Sequence, residues 1–263
     1  MCGRYSLFAP PADIEARFDA SFAFDFEPRY NAAPSQSLPV ITDADPDSIR
    51  RMEWGLVPSW ADGRSDHGHI NARAETVAEK RSFAEAYEAR RCLVPADGMY
   101  EWVRAGSGKQ PYRVALPDDE LFAMAGLYER WEPPQRQTGL GEFTTGGDDS
   151  GEDDVVETFT IVTTEPNDTV ADLHHRMAVI LDPAEEREWL TGGTDTVADL
   201  LGPYGGGEGP HPVLAGGNEP RNHLSGGNGG GEGSGRSREG AAPRGGSAPA
   251  GRRRGAREKG GGA

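Results

Sequence analysis

Residues 92–131 carry three consecutive segments rich in branched and aromatic side chains: CLVPADGMYEWVRA (92–105), PYRVAL (111–116) and LFAMAGLYERW (121–131). Only the turn stretches GSGK and PDDE separate them. Connections this short join antiparallel neighbours, because a parallel pair needs a crossover of a dozen or more residues. Around this block, RYNAAPSQSLPVIT (29–42) reads as a loop entering a short strand, and DADPDS (43–48) as a turn. IRRMEWGLVPSWA (49–61) reads as a strand running into a Trp- and Pro-containing loop; ETFTIVTTEP (157–166) and MAVIL (177–181) are further strands. Helices are expected at 10–20, where proline precedes Ile14 and Phe18 at i, i+4, and at 78–91, with Phe83, Ala86 and Tyr87 on one face. Others are expected before Leu173–His175, at 183–192, where a proline start and a glycine stop bracket the segment, and at 194–202. Strands outnumber helices without alternating regularly with them. The expected fold class is therefore α+β, a mainly antiparallel, curved or barrel-like sheet core flanked by short helices.

Composition sets the limits of that fold. From residue 225 the chain holds 15 glycines in 39 residues and almost no large apolar side chain, which predicts a disordered tail over 225–263 behind one domain at 1–224. Residues 133–154 read as a polar, acidic, mobile insertion. The body before the tail has 40 acidic against 19 basic residues, a formal −21, and the tail has +5. Lys80 and Lys109 are the body's lysines, an acidic, lysine-poor balance like that of proteins from salt-accumulating halophilic archaea. Such a body repels polyanions, so any nucleic-acid contact has to be local rather than a broad basic face. Two cysteines give neither a disulfide framework nor a metal quartet, and a reducing cytoplasm is expected. No apolar run approaches the length of a membrane span, and no signal peptide is visible. Neither metal nor organic cofactor is expected.

The chain begins MCGRY. Removing Met1 would leave Cys2 with a free amine (pKa ~7.7–8.0) beside a thiol (pKa ~8.5), both partly available at neutral pH. This 1,2-aminothiol can trap an aldehyde twice, first as an imine and then as a thiazolidine. A cysteine at position 2 can equally be an incidental residue on a frayed terminus. INARAET (70–76), ADGMYEW (96–102) and DLHHRM (172–177) also mix reactive side chains with turn chemistry. Singly each has an ordinary reading: Asn71 as a turn residue, Glu101 as a surface residue of a strand, His174 at a helix end and Trp60 in the core.

Together and in order, MCGRY, RYNAAPSQ, WGLVPSWA, INARAET, RSFAEAY, RCLVPADGMYEW, KQPYRV, FAMAGLYERW, FTIVTTEPN and LHHRMAVIL resemble the SOS response-associated peptidase (SRAP) family over residues 1 to about 190. Its members are abasic-site processing proteins that crosslink to single-stranded DNA. The resemblance implies that Cys2, freed of Met1, forms a thiazolidine with the ring-opened deoxyribose and shields the lesion in the DNA damage response. It implies that Asn71 positions the cysteine and the opened sugar, that Glu101 shuttles protons, and that His174 assists proton transfer to the sugar hydroxyl. His-x-Arg-Met spacing selects His174 over His175. Arg4, Arg73 and Arg81 resemble phosphate-gripping arginines, and Trp60 with Pro34 a stacking and wedge surface beside the gap. Stacking does not depend on counterion release, so a shallow salt dependence is expected. The implied partner is single-stranded DNA with abasic sites, bound by a monomer near the nucleoid; peptidase, hydrolase or lyase activity and replication partners belong to the same expectation.

Three positions depart from the family pattern. Ala178 stands where proline is common, 133–154 is inserted, and the closing segment keeps only HPV (211–213) before glycine takes over. Two other readings compete: an N-terminal-nucleophile hydrolase in which Cys2 attacks an amide, and a non-catalytic single-strand or RNA binder using Trp60 and the arginines.

Overall fold

The computed structural model describes residues 2–65, 67–133 and 155–205 and the backbone of Val213–Gly216. All lie in the first of two units, Met1–His223. The expected tail and the insertion beyond residue 133 fall outside the described residues.

The strands are β1 (Tyr5–Leu7), β2 (Ser21–Phe22), β3 (Arg29–Ala32), β4 (Ser37–Thr42), β5 (Asp45–Trp54), β6 (Asn71–Arg73) and β7 (Arg91–Ala96). They continue as β8 (Gly98–Ala105), β9 (Gly108–Ala115), β10 (Phe122–Trp131), β11 (Val156–Thr164), β12 (Met177–Ala178), β13 (Ile180–Leu181) and β14 (Val213–Gly216). Among the described residues five short helices, α1 (Pro11–Phe18), α2 (Ala84–Ala89), α3 (Asp168–Ala171), α4 (Glu186–Thr191) and α5 (Thr194–Ala198), lie between them. One sheet runs β14-β9-β8-β1-β3; the other runs β12-β11-β10-β7-β4-β5-β2. In the second sheet β11 also pairs with β5, in parallel, so β5-β4-β7-β10-β11 closes on itself as a five-stranded barrel. Pairing is otherwise mainly antiparallel, with parallel contacts at β6–β11 and β2–β5.

Closure follows from the side chains. Trp54, Phe159, Ile41, Met52 and Met124 are almost fully buried, and Trp54 stacks on Phe159 at 6.3 Å and meets Tyr5 at 5.4 Å. Tyr5 and Leu7 alternate with Ser6 and point their apolar faces into this core, which docks the five-stranded sheet on the barrel. The helices cover the outside. Arg91 holds two of them by their carbonyl ends, donating to Trp189 O at 2.6 Å and Tyr87 O at 2.7 Å.

Five expectations need correction. The segment 92–105 is two strands in different sheets, because at Asp97 the chain leaves the barrel for the sheet β14-β9-β8-β1-β3. MAVIL likewise divides: the Val179 N–H bonds Val162 of β11 while its carbonyl accepts from Ala125 of β10, so the chain crosses between strands. The helix at 78–91 shrinks to 84–89, and the loop at 29–36 contains β3. Finally, Val213–Gly216 pairs with Tyr112–Ala115 of β9, so a closing strand begins at the last residue of the HPV triplet.

Candidate active site around Cys2

The N-terminal strand decides where Cys2 goes. β1 pairs with β8 through Tyr5↔Met99 and Ser6↔Gly98, and the Tyr100 N–H donates to Arg4 O at 3.0 Å. Carried on, that register sets Glu101 beside the chain at Gly3. Cys2 is 1% exposed, far from a frayed end. Asn71 arrives from another direction. Its strand β6 is held in parallel by Ile161–Thr163 of β11, and its Nδ2 donates to Cys2 O at 3.1 Å. The Asn71 Oδ1 is a buried acceptor with no partner among the described residues, a spare hydrogen-bonding position beside the cysteine.

Glu101 is 8% exposed, contrary to its ordinary reading as a surface residue. Burial disfavours its charged form and raises its pKa from 4.5 to about 7. The Cys2 thiol is pushed up to about 12, first by burial and then by the Glu101 charge. It is therefore protonated at neutral pH. Cys2 and Glu101 share a small cavity with Met99, Val114, Val170 and the Arg176–Ala178 segment, which includes the family-atypical Ala178.

His174 lies two residues before that wall. Its Nδ1 lies 3.0 Å from the Arg176 backbone nitrogen and 3.1 Å from the Arg176 carbonyl oxygen, so it accepts from the one or donates to the other according to its tautomer. Burial lowers its pKa, so the ring is neutral near pH 7. His175 is exposed, whereas His174 is half-buried. The local fold is fixed upstream: Asn167 caps α3, accepting from the Val170 N–H at 3.1 Å, and its Nδ2 donates to Tyr204 O at 3.0 Å. Sequence reasoning used Arg176 as a spacing marker and missed its own contacts. The guanidinium pairs with the Glu75 carboxylate, donating to Oε2 at 3.0 Å, and bonds the Thr163 carbonyl. It ties the INARAET, FTIVTTEPN and LHHRM stretches together and holds the Glu75 carboxyl below the usual range. Its place in the quoted LHHRM motif was the available signal.

The remaining sequence candidates lie on the surface. Trp60 and Tyr30 are the large apolar side chains exposed among the described residues, so Trp60 is not core. The loop carrying it is pinned at its base by the Leu56–His69 bridge and by the Trp131 indole donating to Ala61 O at 2.8 Å. Gly55 (φ +139°) makes the close approach possible, since a Cβ there would lie 2.2 Å from His67 O. Arg81 stacks over Trp60 at 4.0 Å. Arg73, at the end of β6, is exposed, and Arg4 and Pro34 are half-buried. Thus Cys2, Asn71 and Glu101 converge with the His174–Ala178 segment, while Trp60 and Arg81 form a separate pair. Among the described residues no group of three His, Cys, Asp or Glu side chains could hold a metal ion, and no helix is long and apolar enough to cross a membrane.

Residues 1–212 match the model of the family described as SOS response associated peptidase (SRAP). The chain is 39% identical over 213 residues to the abasic site processing protein YoqW of Bacillus subtilis, covering 78% of this chain and 88% of that one. It is 32% identical over 208 residues to the abasic site processing protein HMCES of Xenopus tropicalis, covering 67% of this chain and 57% of that one. A crystal structure of a protein from Bacteroides thetaiotaomicron superposes with a TM-score of 0.67 at 28% identity, over 81% of this chain and 91% of that one.

Proposed function

The chain belongs to the SRAP family, and from that premise and the Cys2 pocket we propose that it captures abasic sites in single-stranded DNA as a covalent thiazolidine on Cys2. The observation that carries the reading is a near-terminal cysteine buried beside a carboxyl group with a pKa of about 7. Relatives named as abasic site processing proteins support the substrate class.

Met1 first has to leave, so that the amine belongs to Cys2. The amine then adds to the C1′ aldehyde of the ring-opened deoxyribose, and the carbinolamine loses water to give an iminium. Cys2 Sγ adds to that carbon and releases its proton, closing the thiazolidine with one water lost overall. A carboxyl that is half protonated near pH 7 gives a proton to the departing hydroxyl and takes one back from the thiol. A thiol held up at about 12 is a poor first nucleophile, which favours attack by the amine before sulfur closure. The His174 imidazole assists proton transfer to the sugar hydroxyl, and the free Asn71 Oδ1 accepts from the sugar or from the Cys2 amine. Trp60, backed by Arg81, stacks a flanking base.

The test is a denaturing gel of the purified protein with single-stranded DNA containing one abasic site, beside Cys2→Ala. A shifted band lost in the variant is expected. Turnover of an amide with no lasting band would favour the N-terminal-nucleophile hydrolase, and non-covalent binding unaffected by Cys2→Ala would favour the plain binder.

A further inference from the structure

Asp97 lies where the chain passes from β7 to β8, outside the cavity, and is 0% exposed. Its carboxylate accepts the Ser6 hydroxyl at 2.6 Å, the Ala9 N–H at 3.2 Å, the Phe8 N–H and Arg113 Nη2 at 3.2 Å. Its backbone is engaged as well: the N–H donates to Ser6 O at 2.9 Å, and the carbonyl accepts Arg113 Nη2 at 2.6 Å. Arg113 closes the ring by donating from Nε to Ser6 Oγ at 3.2 Å. The guanidinium lies against Gly98, where a Cβ would come within 2.4 Å of Nε.

A buried ion pair is weak evidence for stability, since desolvation offsets its attraction; its best-attested use is to fix registry. Here the registry is consequential. β1 is three residues long, pairs with β8 at two positions and with β3 at two more across an irregular register, and a one-residue slip would turn every side chain to the opposite face; Asp97 adds side-chain bonds to Ser6, Phe8 and Ala9 that only the observed register can make. Cys2 stands three residues before Tyr5, and Glu101 two residues after its partner Met99. Every group that Asp97 binds on the N-terminal side, from Ser6 to Ala9, belongs to the segment that delivers Cys2.

We infer that Asp97, with Arg113, is a positioning residue for the crosslinking reaction: it locks the N-terminal strand in the one register that sets Cys2 beside Glu101. This rests on the reading of Cys2 as the crosslinking residue. Asp97 touches neither substrate nor cavity, so its effect is on the rate of the bound complex and not on DNA affinity.

The experiment compares wild type and Asp97→Asn at saturating abasic single-stranded DNA, across pH, with affinity measured on DNA carrying an unreactive tetrahydrofuran abasic analogue. The crosslinking rate is expected to fall roughly 100-fold, the loss typical of a small misplacement of reacting groups, with affinity unchanged. The pH at which the rate is half-maximal should also move toward the ordinary carboxyl range, because a loosened strand admits water to Glu101. A folded Asp97→Asn protein reacting at the wild-type rate, or one whose rate falls only with its folded fraction and an unmoved pH midpoint, overturns the inference. If Asp97→Asn does not fold, Ser6→Ala decides: it keeps the ion pair, and a smaller rate loss with the same displacement of the pH profile is expected. A wild-type protein that forms no adduct brings down the parent reading and this one with it; equal adducts from wild type and variant remove this one alone.

Discussion

The two cysteines invite comparison. Both are buried, and burial raises both thiols above their ordinary range. Cys92 sits in the barrel wall on β7, where Gly126 of β10 packs so closely that a Cβ would lie 2.8 Å from its sulfur, and its carbonyl accepts the Trp189 indole at 3.0 Å. Cys2 sits where two sheets meet, with an amide donor on its carbonyl and a carboxyl group across a small cavity. Desolvation alone makes a thiol inert. What separates the two is a proton-transferring neighbour and a position that becomes the chain terminus when Met1 is lost.

That contrast can be broken most severely at Glu101. Glu101→Gln keeps the shape and removes the proton shuttle, so the rate of adduct formation at saturating DNA is expected to fall by about 10²–10⁴. Stopped-flow quench with gel readout checks it. The same variant tests burial through stability. Glu101 stays protonated in the folded chain up to about pH 7, whereas an ordinary glutamate ionises near 4.5. Its contribution to folding is therefore fully present below pH 4.5 and is lost as pH rises through about 7. The stability difference, wild type minus Glu101→Gln, should fall across that window in denaturant titrations.

A smaller effect is expected on the surface. Trp60→Ala should weaken binding to single-stranded DNA by about 1–3 kcal/mol while leaving the saturating rate intact. Titration over a range of salt should show wild-type affinity falling gently, since stacking on Trp60 does not depend on counterion release; a steep slope would mean that many phosphate contacts dominate. The smallest change is Cys92→Ala, which should cost about 1–2 kcal/mol of stability by loss of packing and leave adduct formation untouched. Thermal melts and the gel assay read both halves of that statement.

The strand segments and their antiparallel order were legible because turn chemistry and apolar runs are local. The break at Asp97 was not. CLVPADGMYEW reads as one extended run, and the bend is imposed by Ser6, Phe8, Ala9 and Arg113, all distant in sequence. Trp60 taken singly reads as core, and only the family motifs set it on a stacking surface, because exposure depends on the pinned loop beneath it rather than on its own neighbours. Cys2, Asn71, Glu101 and His174 were named through ordered motifs resembling a family; no local pattern brings Asn71 to a residue 69 positions earlier. That meeting depends on the parallel β6–β11 pairing, and the raised pKa of Glu101 on burial, both long-range properties.

The most direct test of the central claim is mass mapping of the purified adduct. The expected species is a chain lacking Met1, joined through residue 2 to the oligonucleotide with loss of one water and resistant to borohydride. An adduct mapping to Lys80 or Lys109, or one on a chain that retains Met1, would contradict it.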